Sequence, residues 1–123
     1  MKRSLLVALA FLVAGAATLS ASSLHFALSK SMPEAESTVA PPDELRLWFS
    51  QVPQENSVSV RLVDGSGELV HTGDPTPDAS DGKVIAVSID HALAPGSYTV
   101  AWRGIGDDGH VGRGDFPFSV ATR

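Results

Sequence analysis

The densest concentration of reactive side chains in the sequence is Gly104-Ile105-Gly106-Asp107-Asp108-Gly109-His110-Val111-Gly112-Arg113-Gly114, where two carboxylates and an imidazole are interleaved with glycines. Asp108 and His110 stand two residues apart, and Gly109 between them is free to take positive φ. In a turn, that spacing can aim a carboxylate oxygen and an imidazole nitrogen at one point. Taken alone, Asp-Gly-His is more often a solvated turn than a metal site, because Asp and Gly are ordinary turn formers. Other chemistries lack their residues. The chain has no Cys, which removes disulfides, thiolate metal sites, iron–sulfur clusters and a cysteine nucleophile. Neither G-x-S-x-G, H-E-x-x-H nor a P-loop occurs. Any metal must be held by His, carboxylate, Met or backbone.

The elements that would position this stretch read as strands. Residues 44–49, 57–63, 68–71, 84–89, 97–102 and 115–120 show period-two patterning with β-branched and aromatic enrichment, punctuated by Gly, Pro and Asp. No window of helical length repeats at 3.6 residues without a Pro or Gly. The pattern predicts an all-β, immunoglobulin-like Greek-key sandwich or barrel of about seven strands. Pro117 cannot donate to a ladder, so it belongs at an edge or bulge. Trp102 is expected in the core, and Trp48, out of phase with Leu47 and Phe49, on the outer face. A sandwich with short loops leaves little room for the cleft that paired carboxylates need for acid–base work. His71 and His91 are expected at the surface, and Asp74 to Asp81 as a solvated loop, with calcium binding as its alternative use.

The first residues are of another kind. Lys2 and Arg3 precede a run of thirteen apolar and small residues, Leu5 to Ala17, followed by Ser20-Ala21-Ser22-Ser23. That describes a secretory signal peptide over residues 1–24, since a membrane span takes about 20 apolar residues. The remaining domain, 25–123, is expected to be exported, with no membrane insertion. Fourteen acidic against nine basic residues give a net charge of −5 and no basic stripe, so a nucleic-acid partner is not expected.

Taken together, several segments resemble the periplasmic copper-resistance protein C family. These are His25-Phe26-Ala27-Leu28, Met32-Pro33-Glu34-Ala35, Pro41-Pro42 and Leu45-Arg46-Leu47-Trp48-Phe49-Ser50. Leu93-Ala94-Pro95-Gly96-Ser97-Tyr98-Thr99-Val100-Ala101-Trp102-Arg103, then Asp108-Gly109-His110 and Phe116-Pro117-Phe118-Ser119-Val120, complete the likeness. The resemblance implies a periplasmic Cu(II)-binding protein, a chaperone or buffer in copper homeostasis or resistance. It further implies a copper site made by His25, Asp108 and His110, and a copper-resistance D type of inner-membrane importer (CopD-like) as partner. Imidazole and oxygen ligands suit Cu(II), which tops the Irving–Williams order.

Three departures from the family pattern stand out. Met1 goes with the signal peptide and leaves only Met32, too little thioether for a Cu(I) site. Gln51 stands where members often carry Glu, so an extra carboxylate ligand is missing. Small residues are preferred before a signal-peptide cut, which favours cleavage after Ser22 over cleavage after Leu24. A chain beginning Ser23-Leu24-His25 would offer copper an amine, two backbone amides and an imidazole instead of the His25 amine. Two other functions fit parts of the pattern. A histidine brace also serves copper-dependent oxidative enzymes, and an immunoglobulin-like interaction module would use Asp-Gly-His as a turn only. The non-enzymatic reading is the expectation.

Overall fold

The computed structural model describes residues 25–122. The expected signal peptide and its cleavage point lie outside them. Among the described residues, nine strands form two sheets: β1 (Leu28–Met32), β2 (Thr38–Val39), β3 (Glu44–Phe49), β4 (Ser59–Asp64), β5 (Leu69–Val70), β6 (Thr76–Pro77), β7 (Val84–Ser88), β8 (Gly96–Ile105) and β9 (Val111–Val120). One sheet has the order β1-β3-β7-β6 and the other β2-β9-β8-β4-β5. All pairings are antiparallel except the short β2–β9 pair. This is the expected immunoglobulin-like sandwich, with more strands than the sequence pattern indicated.

Alternation builds the core. Leu45, Leu47 and Phe49 of β3 point inward, as do Val100 and Trp102 of β8 and Phe116, Phe118 and Val120 of β9. Each side chain of this size contributes about 1.5–3 kcal/mol when buried, so the alternate positions dictate which face of each strand turns inward. Trp48 falls on the other face of β3, half-buried, with the Lys30 ammonium 4.6 Å from its ring centre. That contact is a cation–π pair and explains an aromatic outside the core.

The extra strands are β1, β2 and β6. The central residues of β1, Ser29-Lys30-Ser31, carry no apolar alternation, and β2 and β6 have two residues each. Such strands form because a neighbour offers unpaired backbone groups, which a sequence pattern does not record. Pro117 sits where its lack of an N–H costs nothing. Its carbonyl accepts the Glu36 N–H on the side away from β8, beyond the end of β2, so its nitrogen also faces that edge.

One difference bears directly on the site. The β8–β9 ladder does not stop near residues 102 and 115 but continues to the Ile105–Val111 pair. The glycine-rich stretch is therefore mostly hairpin, and only residues 106–110 form the turn.

Candidate metal centre

The turn closes tightly. Gly106 N–H donates to the His110 carbonyl at 2.9 Å, and Gly109 N–H donates to the Gly106 carbonyl at 3.0 Å. Gly109 has φ of 88°, a left-handed value that an L side chain would strain, which is why glycine separates the two candidate ligands. Across it, Asp108 Oδ1 accepts the His110 backbone N–H at 3.0 Å, and Asp108 Oδ2 lies 3.0 Å from His110 Nδ1. These contacts, the backbone bond first, hold the Asp108 carboxyl below the usual carboxylate range. At neutral pH the turn presents an anionic oxygen donor beside an imidazole. The two side chains are 41% and 76% exposed, so an ion has open access to them.

Two further segments converge on this turn. Phe26 is buried, stacked on Phe49 with ring centres 4.8 Å apart and edge-on to Trp102 at 6.2 Å. Ser50 fixes the chain on either side of it. Its hydroxyl donates to the His25 carbonyl at 2.9 Å and accepts the Ala27 N–H at 3.0 Å, while its own N–H donates to the Ala27 carbonyl at 2.8 Å. From the β3–β4 connection, the Gln51 amide oxygen accepts the Asp107 N–H at 3.2 Å. Gln54 donates its N–H to the Ile105 carbonyl at 2.8 Å and its side-chain amide to the Gly106 carbonyl at 3.2 Å.

The meeting point is Gly106. A Cβ there would lie 2.6 Å from Gln51 Oε1, 2.9 Å from Phe26 Cβ and 3.2 Å from Asp108 Oδ1. At Gly112, a Cβ would come within 2.6 Å of the Phe26 carbonyl oxygen. Glycine at these two positions is what allows residues 25–26 to lie against the hairpin.

Of the three residues the sequence singled out, the fold thus brings Asp108 and His110 into contact. His25 immediately precedes the pinned Phe26 and shares an open groove with Val111 and Gly112, its own side chain exposed. Among the described residues, no group of three His, Cys, Asp or Glu side chains is arranged to hold a metal ion. His25 therefore does not complete a three-ligand group with the other two, and the Asp74–Asp81 stretch supplies no calcium cluster. There, Asp78 accepts from Ser80 and Arg46, and Asp81 accepts the Lys83 N–H. His91 is exposed, as expected. His71 is exposed too, and it pairs with Asp90 across the chain.

Sequence reasoning gave no role to Phe26, Ser50 or Gly106. The one legible signal was the run of alternate glycines at 104, 106, 112 and 114, which marks a close approach by something else.

A family model for the CopC domain matches residues 28–121. The chain belongs to the CopC family. It is 32% identical over 119 residues to Protein YobA of Escherichia coli K12, a match covering 96% of this chain and 95% of that protein. Among solved structures it resembles CopC from Methylosinus trichosporium OB3b, with a TM-score of 0.72 and 30% identity over 78% of this chain and 93% of that one. It also resembles PcoC, a methionine-rich copper resistance protein from Escherichia coli, with a TM-score of 0.70 and 28% identity over 79% and 99% of the two chains. The CopC match includes Ser50, Gln51 and the 106–110 turn, whereas His25 and Phe26 lie just before it.

Proposed function

We propose that this protein is a non-enzymatic Cu(II) carrier or buffer of the periplasm, holding one ion per chain with Asp108 and His110 and with His25, whose exposed side chain must swing toward the turn to join them. The observation that carries the reading is the Asp108–His110 pair in a CopC-family chain, on a turn against which the residue after His25 is packed. A carboxylate kept anionic and two imidazoles form a mixed oxygen and nitrogen donor set, which suits Cu(II) better than Cu(I). Met32 is the single thioether of the described residues, so Cu(I) is held weakly. Copper reaches the site with little reorganisation of Asp108, because the backbone N–H of His110 already orients it. The His110 contact with Asp108 Oδ2 must open for both side chains to bind the same ion. Delivery to a CopD-like importer in the inner membrane is the matching transport role.

The test is a Cu(II) competition titration on the exported protein, with its intact mass measured first. One tightly held Cu(II) per chain is expected, lost to a Cu(I) chelator under reducing conditions. Equal affinity in wild type and His110→Ala overturns the site. A mass beginning at His25 supports a ligand set that includes the His25 amine. A mass beginning at Ser23 replaces it with the amine–amide–imidazole set of Ser23-Leu24-His25. Peroxide-dependent turnover by the copper-loaded protein would make the protein an enzyme instead.

A further inference from the structure

Arg61, Arg103 and Arg113 are distant in sequence but adjacent on the sheet. Ser59 pairs with Arg103 and Arg61 with Ala101 across β4–β8, while Arg103 pairs with Arg113 across β8–β9. All three alternate with inward residues such as Leu62 and Trp102, so they share the outer face, where all are exposed. They surround a shallow groove of about 480 Å³ that also includes Trp102 and Asp115. Three of the chain's nine basic residues are gathered here in an otherwise acidic protein.

Among the described residues, none of the three has a carboxylate partner. The ion pairs among the described residues join Arg46 to Glu44 and Asp78, and two histidines to aspartates. Asp115, on β9 two residues from Arg113, is the one carboxylate lining the groove. Like charges directly opposed across antiparallel strands destabilise the pair, and Arg103 faces Arg113 in that way. The isolated sheet carries an electrostatic cost there that carboxylates from outside would offset. Guanidinium groups present planar forks that match carboxylates two bonds at a time.

We propose that the groove formed by Arg61, Arg103 and Arg113 on the outer face of β4, β8 and β9 docks an acidic segment of a partner protein. A short segment lying in the groove responds to charges within a Debye length, about 8 Å at physiological salt, and so to the arginines. An anionic bilayer is a different matter. The net charge of −5 opposes the approach of so extended an anionic surface. The groove adjoins the one that holds His25, with Arg113 and Asp115 lining both, so docking is tested on metal-free protein.

The experiment uses metal-free protein and a ten-residue glutamate peptide at low salt, followed by calorimetry and backbone amide NMR. Saturable binding is expected, with shifts concentrated at residues 59–61, 101–103 and 113–115 and affinity falling as salt rises. The triple variant Arg61→Ser/Arg103→Ser/Arg113→Ser should bind roughly tenfold more weakly or worse, and Lys30→Ser/Lys83→Ser as wild type. Should the triple variant fold poorly, Asp115→Asn decides: removing the groove's own carboxylate should tighten binding. Absence of saturable binding, unchanged affinity in the triple variant, or no gain from Asp115→Asn overturns the proposal. So does binding to phosphatidylglycerol vesicles without binding to the peptide.

Discussion

Two regions of this protein carry a histidine against an aspartate, and they are nearly equal in exposure. Asp108 and His110 have side chains 41% and 76% exposed, and Asp90 and His71 44% and 81%. Their surroundings differ. The Asp108–His110 pair spans one turn, and its carboxylate is oriented by the backbone N–H of His110 before any side chain acts. Phe26 and Gln51 close on the same turn from two other segments. The His71–Asp90 pair joins two segments beside the isolated Thr72–Ile89 bridge. Donor chemistry is therefore common to both places, and what distinguishes the first is a hydrogen-bonded turn with two further segments of chain, at Phe26 and Gln51, packed upon it. Where two places offer the same donor types, the preorganisation of those donors is what separates them.

The largest expected contrast is in copper affinity. His110→Ala should weaken Cu(II) binding by roughly an order of magnitude or more, given what a lost ligand or its outer-shell support costs, whereas His71→Ala should leave it unchanged. Competition titration of the two variants measures this directly, and equal losses would erase the distinction between the pairs.

A glycine substitution in each region comes next. Gly112→Ala drives a methyl group into the Phe26 carbonyl, a backbone atom, and should destabilise the fold by about 1–3 kcal/mol while shifting His25 away from the turn. Gly73→Ala, beside the His71 pair, meets chiefly the rotatable Ser88 hydroxyl and should stay within about 0.5 kcal/mol of wild type. Urea unfolding of both proteins, together with copper titration of Gly112→Ala, tests whether packing at residues 25–26 supports the site.

Gln51→Ala should have a smaller effect. It removes the acceptor of the Asp107 N–H, at a cost of about 1 kcal/mol in stability. A modest loss of Cu(II) affinity is expected, as the turn loosens without losing a ligand. A loss as large as that of His110→Ala would make Gln51 a ligand itself.

The smallest effect isolates the turn device without a histidine. Asp64 accepts the Ser66 hydroxyl at 2.7 Å and the backbone N–H groups of Ser66 and Glu68 at 2.9 and 3.0 Å. The Ser66 hydroxyl bond first, then that of Glu68, lowers its carboxyl below the usual range. A depressed folded value means stability that is present above the unfolded carboxylate value, about 3.9, and lost as pH falls through the folded one. Asp64→Ala should therefore lower Tm slightly at neutral pH, and the difference from wild type should close at pH below about 4. Thermal scans at pH 7 and pH 3 check the sign.

The sequence by itself determined the sandwich, because apolar residues at every second position of β3, β4, β7, β8 and β9 have only one way to leave water. It also determined the Asp-Gly-His turn, since both hydrogen bonds that orient Asp108 are made within two residues. What it did not contain was the company of that turn. Phe26 and Gln51 reach it only because β1 and β3 lie where the core places them, and β1 has no alternation of its own to announce it. The arginine groove is of the same kind. No basic stripe exists along the chain, yet the register of β4, β8 and β9 sets Arg61, Arg103 and Arg113 side by side. Local bonds and the period of a strand are written in neighbouring residues, whereas the meeting of distant strands depends on how the whole core closes.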